Sequence, residues 1–167
     1  MLETRRLSLT PFQRSEVSDL FAIRGDPKAM AFWDSPFDAS LEETHKAARF
    51  MFAEVERKEA LYWTARCKDD GLFVGIFDLS DLLSEAADLG FMIVGRLEGR
   101  GYAFEAASRI LEEARARRFL KLKARIHAGN VRSCKLLQRL GFSLRNEADV
   151  EIRKGVRQRC SFFILEL

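Results

Sequence analysis

A chain of 167 residues, 47% apolar and 32% charged, is long enough to bury one core without staples, and one domain over 1–167 is expected. Its 28 Lys and Arg against 25 Asp and Glu leave a net charge of +3, too small to argue for nucleic acid. Cys67, Cys134, Cys160, His45 and His127 stand at no metal or disulfide spacing, no run nears the roughly 18 apolar residues of a membrane helix, and MLETRRLSLTPF has no signal-like apolar stretch, so a cytoplasmic protein without metal or membrane partner is expected.

Residues 5–10 set Leu7 and Leu9 between Ser8 and Thr10, the alternation of a strand, which Pro11 ends. Over 14–24, Val17, Leu20, Phe21 and Arg24 recur at helical spacing with Ser15 as the cap, and a second short helix is expected after Asp26-Pro27. The aromatic stretch 31–38 is broken by Pro36 and reads as a loop or a frayed helix end. Ser40, with Glu43 three residues on, has capping-box spacing and opens a helix to about residue 58. Runs 60–67 and 72–79 read as a hairpin around Lys68-Asp69-Asp70-Gly71, and 86–94 as another strand. An amphipathic helix follows over 102–117, then a strand over 119–127 and a helix over 130–140 closed by Gly141. Two last strands, 143–152 and 159–166, meet near Lys154-Gly155. Hairpins mixed with strand–helix–strand crossovers predict an α/β (α+β) fold: one mixed, mostly antiparallel sheet of about seven strands flanked by helices.

The chemistry concentrates where the buried strand Phe91-Met92-Ile93-Val94 runs into Gly95-Arg96-Leu97-Glu98-Gly99-Arg100-Gly101 and a helix starts at Tyr102-Ala103. The first helical turn leaves about four N–H groups without partners and carries partial positive charge. Glycines beside it let an anion approach, so the segment suits a phosphate, although the same pattern also serves a plain loop before a packed helix. A nucleotide P-loop is excluded, because Arg100 stands at the sixth position from Gly95 with no Lys-Ser or Lys-Thr after it. A dinucleotide fingerprint is poor, because Phe104 stands where a third small residue belongs. A second strand-to-helix junction, His127-Ala128-Gly129-Asn130, offers Asn130 either as a cap or as a ligand amide, with Ser133 one turn in. Two helix N-termini at the carboxyl ends of neighbouring strands frame a crevice.

Glu98-Gly99-Arg100-Gly101-Tyr102-Ala103 resembles the [QR]-x-x-G-x-[GA] pattern of the GNAT superfamily of N-acetyltransferases. Asn130 followed after twelve residues by the Phe of Leu140-Gly141-Phe142 is similar to its later signature. LETRRLSLTPF and Val74-Gly75 resemble the branch that includes ribosomal-protein alanine N-acetyltransferases. The resemblance implies acetyl-CoA as cofactor. Its pantetheine would lie along Met92, Ile93 and Val94, its pyrophosphate on the amides of Glu98, Gly99, Arg100, Gly101, Tyr102 and Ala103, and Asn130 and Ser133 would contact its arm. Glu98 departs from the usual Gln or Arg, and a carboxylate aimed at a pyrophosphate would weaken binding.

Acetyl transfer to an amine needs a neutral amine, donors for the oxyanion and a proton for the thiolate. The resemblance places Asp88 where relatives carry a water-assisted base, and Ser133 where the ribosomal-protein branch carries a Ser that can donate a proton. The Tyr that many relatives carry seven residues after the Asn is Leu137 here. Asp88 also reads as a solvated strand residue and Ser133 as an ordinary first-turn Ser. Trp33, Asp34 and Phe37 are the candidate acceptor contacts, or packing residues of the helical arm. Arg145, Arg157 and Arg159 replace the branch's acidic positions and suggest an acidic acceptor or plain solvated surface. The expected activity is transfer of acetyl to a primary amine, on a protein N-terminus or a small molecule, by a monomer or homodimer. The alternatives are a catalytically weak CoA-binding sensor or scaffold of the same fold, and a binder of another phosphate ligand.

Overall fold

The structure is a computed structural model that describes all residues 1–167. In chain order it holds β1 (Leu2–Glu3), β2 (Leu7–Pro11), α1 (Val17–Arg24), α2 (Leu41–Glu56), β3 (Leu61–Cys67), β4 (Phe73–Ser80), β5 (Ala86–Ile93), α3 (Tyr102–Ala116), β6 (Lys121–His127), α4 (Val131–Arg139), β7 (Ser143–Arg153) and β8 (Val156–Glu166). The strands form one sheet in the order β1-β2-β3-β4-β5-β6-β8-β7. Every neighbouring pair is antiparallel except β5 and β6, which α3 joins as a crossover.

That parallel pair is short. Ala86, Ala87 and Asp88 pair with Lys121, Leu122 and Lys123, and there the ladder stops. β5 continues to Ile93 on β4 alone, and β6 continues to His127 on β8 alone. The two strands therefore part beyond Asp88 and leave a wedge at their carboxyl ends.

Alternation assigns the faces. Ala87 and Leu89 of β5, Leu122 and Ala124 of β6 and Phe163 of β8 share a core with Ala106, Ala107, Ile110 and Ala114 of α3 and Leu137 of α4. The alanines of α3 fall on one helical stripe, and their small side chains let the helix lie close to the sheet. On the other face Ile76 of β4 packs with Phe12, Val17 and Leu20 and with Ala48 of α2, and Met92 joins them.

The expected mixed sheet and its element order are found, with specific differences. β1 is an additional, two-residue edge strand. The segment after Asp26-Pro27 is a run of turns instead of a helix, held by Met30 N–H to Asp26 C=O and Trp33 N–H to Met30 C=O, both 3.0 Å. Ser15 does not cap α1; the Glu16 carboxylate accepts from Gln13 N–H at 3.0 Å instead. Ser40 caps α2 as its spacing implies, through Glu43 N–H at 3.4 Å. The last hairpin is longer than expected, because β8 begins at Val156 and the turn takes only Lys154 and Gly155.

The segment between α1 and α2 is pinned at its ends. Arg24 holds Asp38 bidentately at 2.7 and 2.9 Å, Thr44 Oγ1 donates to the same carboxylate at 2.7 Å, and Asp38 N–H bonds Arg24 C=O at 2.7 Å. Buried bidentate pairs of this kind are stronger and more directional than surface pairs. The loop is thereby held across the mouth of the wedge.

Candidate active site

Two helix N-termini wall the wedge. Gly99 and Gly101 both sit at positive φ, +75° and +83°. L side chains resist that conformation, and it gathers successive N–H groups on one side of the loop. The first bond into α3 is Glu105 N–H to Gly101 C=O at 3.1 Å, which leaves the amides of Tyr102, Ala103 and Phe104 without helical acceptors. Opposite, Asn130 caps α4, its Oδ1 accepting from Ser133 N–H at 3.1 Å. Its amide nitrogen makes no bond within the chain.

Between these ends lies a cleft of about 1030 Å³, at the upper end of the roughly 300–1,000 Å³ usual for small-molecule sites. Phe91, Met92 and Ile93 supply strand floor, Glu98, Gly99, Gly101, Tyr102 and Ala103 one wall, and Asn130 and Ser133 the other. Lys28, Arg96, Arg132, Lys135 and Arg139 also line it, so positive charge predominates. Glu98 is not aimed freely at an anion: its carboxylate pairs with Arg132 across the cleft.

Not every expected contact lies here. Val94 points into the core and is buried, and its backbone is engaged with β4 through Val94 N–H to Val74 C=O at 3.0 Å. Arg100 does not line the cleft, and its carbonyl is taken by Arg6 Nη1 at 3.1 Å. Trp33 lines the cleft, but Phe37 is exposed outside it. Asp34 is engaged by Arg125 and by Gln158 Nε2, the latter at 3.2 Å, so it fixes the loop onto β6 and β8. Two arginines of the suggested basic rim are engaged within the last hairpin. Arg159 lies 3.6 Å from Glu147 and 3.9 Å from Asp149, and Arg157 donates to the Asp149 carbonyl at 2.9 Å.

Asp88 lies outside the cleft, four residues before Met92, at the last position paired with β6. Burial pushes its carboxyl above the ordinary value, and Lys123, 3.6 Å away, pulls the other way. Leu137, at the position of the customary Tyr, is wholly buried, so no phenol is offered there. Ser133 faces the cleft with its hydroxyl free of other side chains. Nothing in the spacing singles out Asp78, which lies beside Asp88 and, like it, outside the cleft. It pairs with Gly90 of β5 and shares a sheet face with Asp88, and burial pushes its carboxyl up to about 7. One charged residue inside the otherwise apolar strand FVGIFDLS was the available signal.

The donor set fits a ligand with a polyphosphate at one end and a thin amide-bearing arm at the other. The unpartnered amides and cations suit the first, and the β5 edge released by β6 suits the second. Acetyl-CoA has this form.

The family model for the acetyltransferase (GNAT) domain matches residues 6–143. A GNAT-family acetyltransferase from Bacillus anthracis superposes with a TM-score of 0.86 at 14% identity, covering 99% of this chain and 97% of that one. Spermidine N-acetyltransferase from Vibrio cholerae, in complex with CoA and spermine, gives 0.82 at 14% identity over 96% and 95%. The acetyltransferase that modifies the N-terminal serine of ribosomal protein L7/L12 from Salmonella typhimurium gives 0.85 at 18% identity over 98% and 96%. No curated protein matches the chain in sequence. No helix is long and apolar enough to cross a membrane. With the domain match and the wedge in agreement, the chain belongs to the GNAT acetyltransferase family and is an acetyl-CoA-dependent N-acetyltransferase.

Proposed function

We propose that residues 1–167 act as one domain that passes acetyl directly to a primary amine, with both substrates held together in the wedge. The observation that carries this reading is the parting of β5 from β6 at Asp88, directly between two helix N-termini. When bound, acetyl-CoA supplies an activated acetyl carbonyl as a thioester. The amides of Gly99, Gly101, Tyr102 and Ala103 hold the pyrophosphate, with Arg132 released from Glu98 to join them. Backbone groups of Ile93, on the edge facing β6, hold the arm and stabilise the oxyanion, whereas those of Met92, expected there from the sequence, are turned toward β4 as Val94's are. The free amide of Asn130 orients the arm, and the Ser133 hydroxyl gives a proton toward sulfur. Asp88 receives protons from the amine side through water, its raised carboxyl making it a better acceptor near neutral pH.

The acceptor approaches over the sheet face that carries Asp88 and Met92, beneath the loop held by Asp34. Both a protein N-terminus and a small-molecule amine fit this approach, and enzymes of each kind share the fold. Thermal denaturation with CoA tests the cofactor site. With a Kd of about 10 μM, 1 mM CoA stabilises the fold by about 2.7 kcal/mol, which for a domain of this size raises Tm by roughly 5–10 °C. No shift at 5 mM would remove the reading.

A further inference from the structure

The row Tyr62, Asp78, Gly90 and Asp88 runs across β3, β4 and β5 on the acceptor side of the sheet. Tyr62 is the Cα partner of Asp78, and Gly90 is its partner on the opposite side. A Cβ built on Gly90 would lie 2.1 Å from Asp78 Oδ1. The Asp78 carboxyl therefore reaches across onto β5 and fills the space that glycine leaves open. It sits opposite residue 90, two residues from Met92, or about 7 Å along the strand, whereas Asp88 is four residues away, about 13 Å.

The surroundings of the two carboxyls differ in kind. Lys123 stands beside Asp88 and holds Asp81 as well, at 2.6 Å. The groups that face Asp78 are Glu54 from α2, Tyr62 from β3, the Ser80 hydroxyl on its own strand and Asp88 from β5. None is a cation, and Tyr62 spends its proton on Glu54 at 2.7 Å. Burial together with the neighbouring acids pushes the Asp78 carboxyl up, and Ser80 only partly offsets this. A half-buried carboxylate with no cation of its own gains most from a cation that arrives with the substrate.

We infer that Asp78 is the first proton acceptor for the acceptor amine, taking its proton on the cofactor side of Asp88. The inference rests on the acetyl-transfer reading above. The amine enters as an ammonium. One N–H bond breaks, its electron pair stays on nitrogen, and the proton bonds to an Asp78 oxygen. The nitrogen lone pair forms the C–N bond with the acetyl carbon, and the C–S bond breaks with its pair going to sulfur. The Ser133 hydroxyl gives its proton to that sulfur and is restored by the second proton leaving nitrogen, and Asp78 returns its own proton to solvent by way of Asp88. The incoming group is thus a cationic amine in an acid-lined approach, which reverses the acidic acceptor suggested by the arginines of the last hairpin.

The test joins a titration with kinetics. In protein labelled with ¹³C at its carboxyl groups, the resonance that disappears in Asp78→Asn should titrate near pH 7 in the wild-type chain. A midpoint near 4 overturns the inference whatever the acceptor. With spermidine and a serine-initiated hexapeptide as probes, Asp78→Asn should lower kcat about 100-fold. It should also abolish the acid limb of the kcat/KM profile and leave the CoA thermal shift unchanged, while Asp78→Glu restores part of the rate. Activity of Asp78→Asn within threefold of wild type, with its acid limb intact, overturns it. Absence of a CoA shift in the wild-type chain instead strikes the acetyl-transfer reading, and the carboxyl midpoint then judges Asp78 by itself.

Discussion

At the scale of single residues, Asp78 links stability to function. A carboxyl pushed up to about 7 keeps its proton in the folded chain over a range where the unfolded chain, with a carboxyl near 3.9, has released it. The folded state then binds more protons than the unfolded one. Stability is full below the unfolded value and falls as pH rises through the folded one, by up to about 1.4 kcal/mol per unit. Asp78→Asn removes this dependence. The loss between the two values comes to about 4 kcal/mol, so its Tm should exceed the wild-type value by roughly 8–16 °C at pH 8 and match it at pH 4, as calorimetry at both values would show. An equal difference at both pH values would contradict the assignment. Ser133→Ala should cut kcat by about 100-fold while CoA affinity stays within threefold in calorimetric titration. A fall in affinity without a fall in rate would make Ser133 a binding residue only. Asp78 is not legible in the sequence, because its role depends on Gly90, twelve positions away, and no local spacing shows that a carboxyl fills a glycine's empty side.

At the scale of elements, legibility followed local signals. Ser40 and Glu43, the alanine stripe of α3 and Gly141 after α4 are short-range patterns, and each is realised. Gly141, at φ +94°, accepts the left-handed turn that ends α4. The misread elements lack such signals. β1 has two residues, too few to alternate visibly, and after Pro27 the Asp26 carboxylate accepts from Lys28 N–H at 2.9 Å, a local turn that competes with helix. In the sequence only Asp34's chain position is visible, which suggests an acceptor contact; Arg125 and Gln158, about 90 and 120 residues on, hold its carboxylate in the fold. Exposed pairs such as Asp34–Arg125 contribute little to global stability, about 0–1 kcal/mol. Asp34→Ala should therefore lower Tm by less than about 4 °C. Its main effect should be on the acceptor, a several-fold rise in acceptor KM with CoA affinity unchanged in steady-state kinetics. Asn130→Ala removes a cap worth about 1 kcal/mol and a cofactor contact together, so it should lower both Tm and CoA affinity.

At the scale of the whole molecule, the active site is a consequence of strand order. β8 inserts between β6 and β7 and satisfies β6 along its full length, and β4 holds β5 from Asp88 to Ile93, so both strands keep one neighbour where they separate from each other. The wedge costs the sheet a few hydrogen bonds, and the core of α3 against β5 and β6 maintains the frame. Ile110, wholly buried there, should cost about 2–5 kcal/mol when replaced by alanine, read from denaturant midpoints. The sequence revealed both strands and the glycine loop between β5 and α3, but the wedge depends on a register that ends at Asp88 and Lys123, residues 35 apart, and no one segment encodes it. The crystal structure of the CoA complex tests this arrangement most directly. The account predicts the pyrophosphate on the amides of Gly99 to Ala103, Arg132 turned from Glu98 toward it, and the sulfur beside Met92 on the edge of β5 that β6 leaves free. CoA bound elsewhere, or β5 and β6 closed into a continuous ladder beyond Asp88, would contradict it.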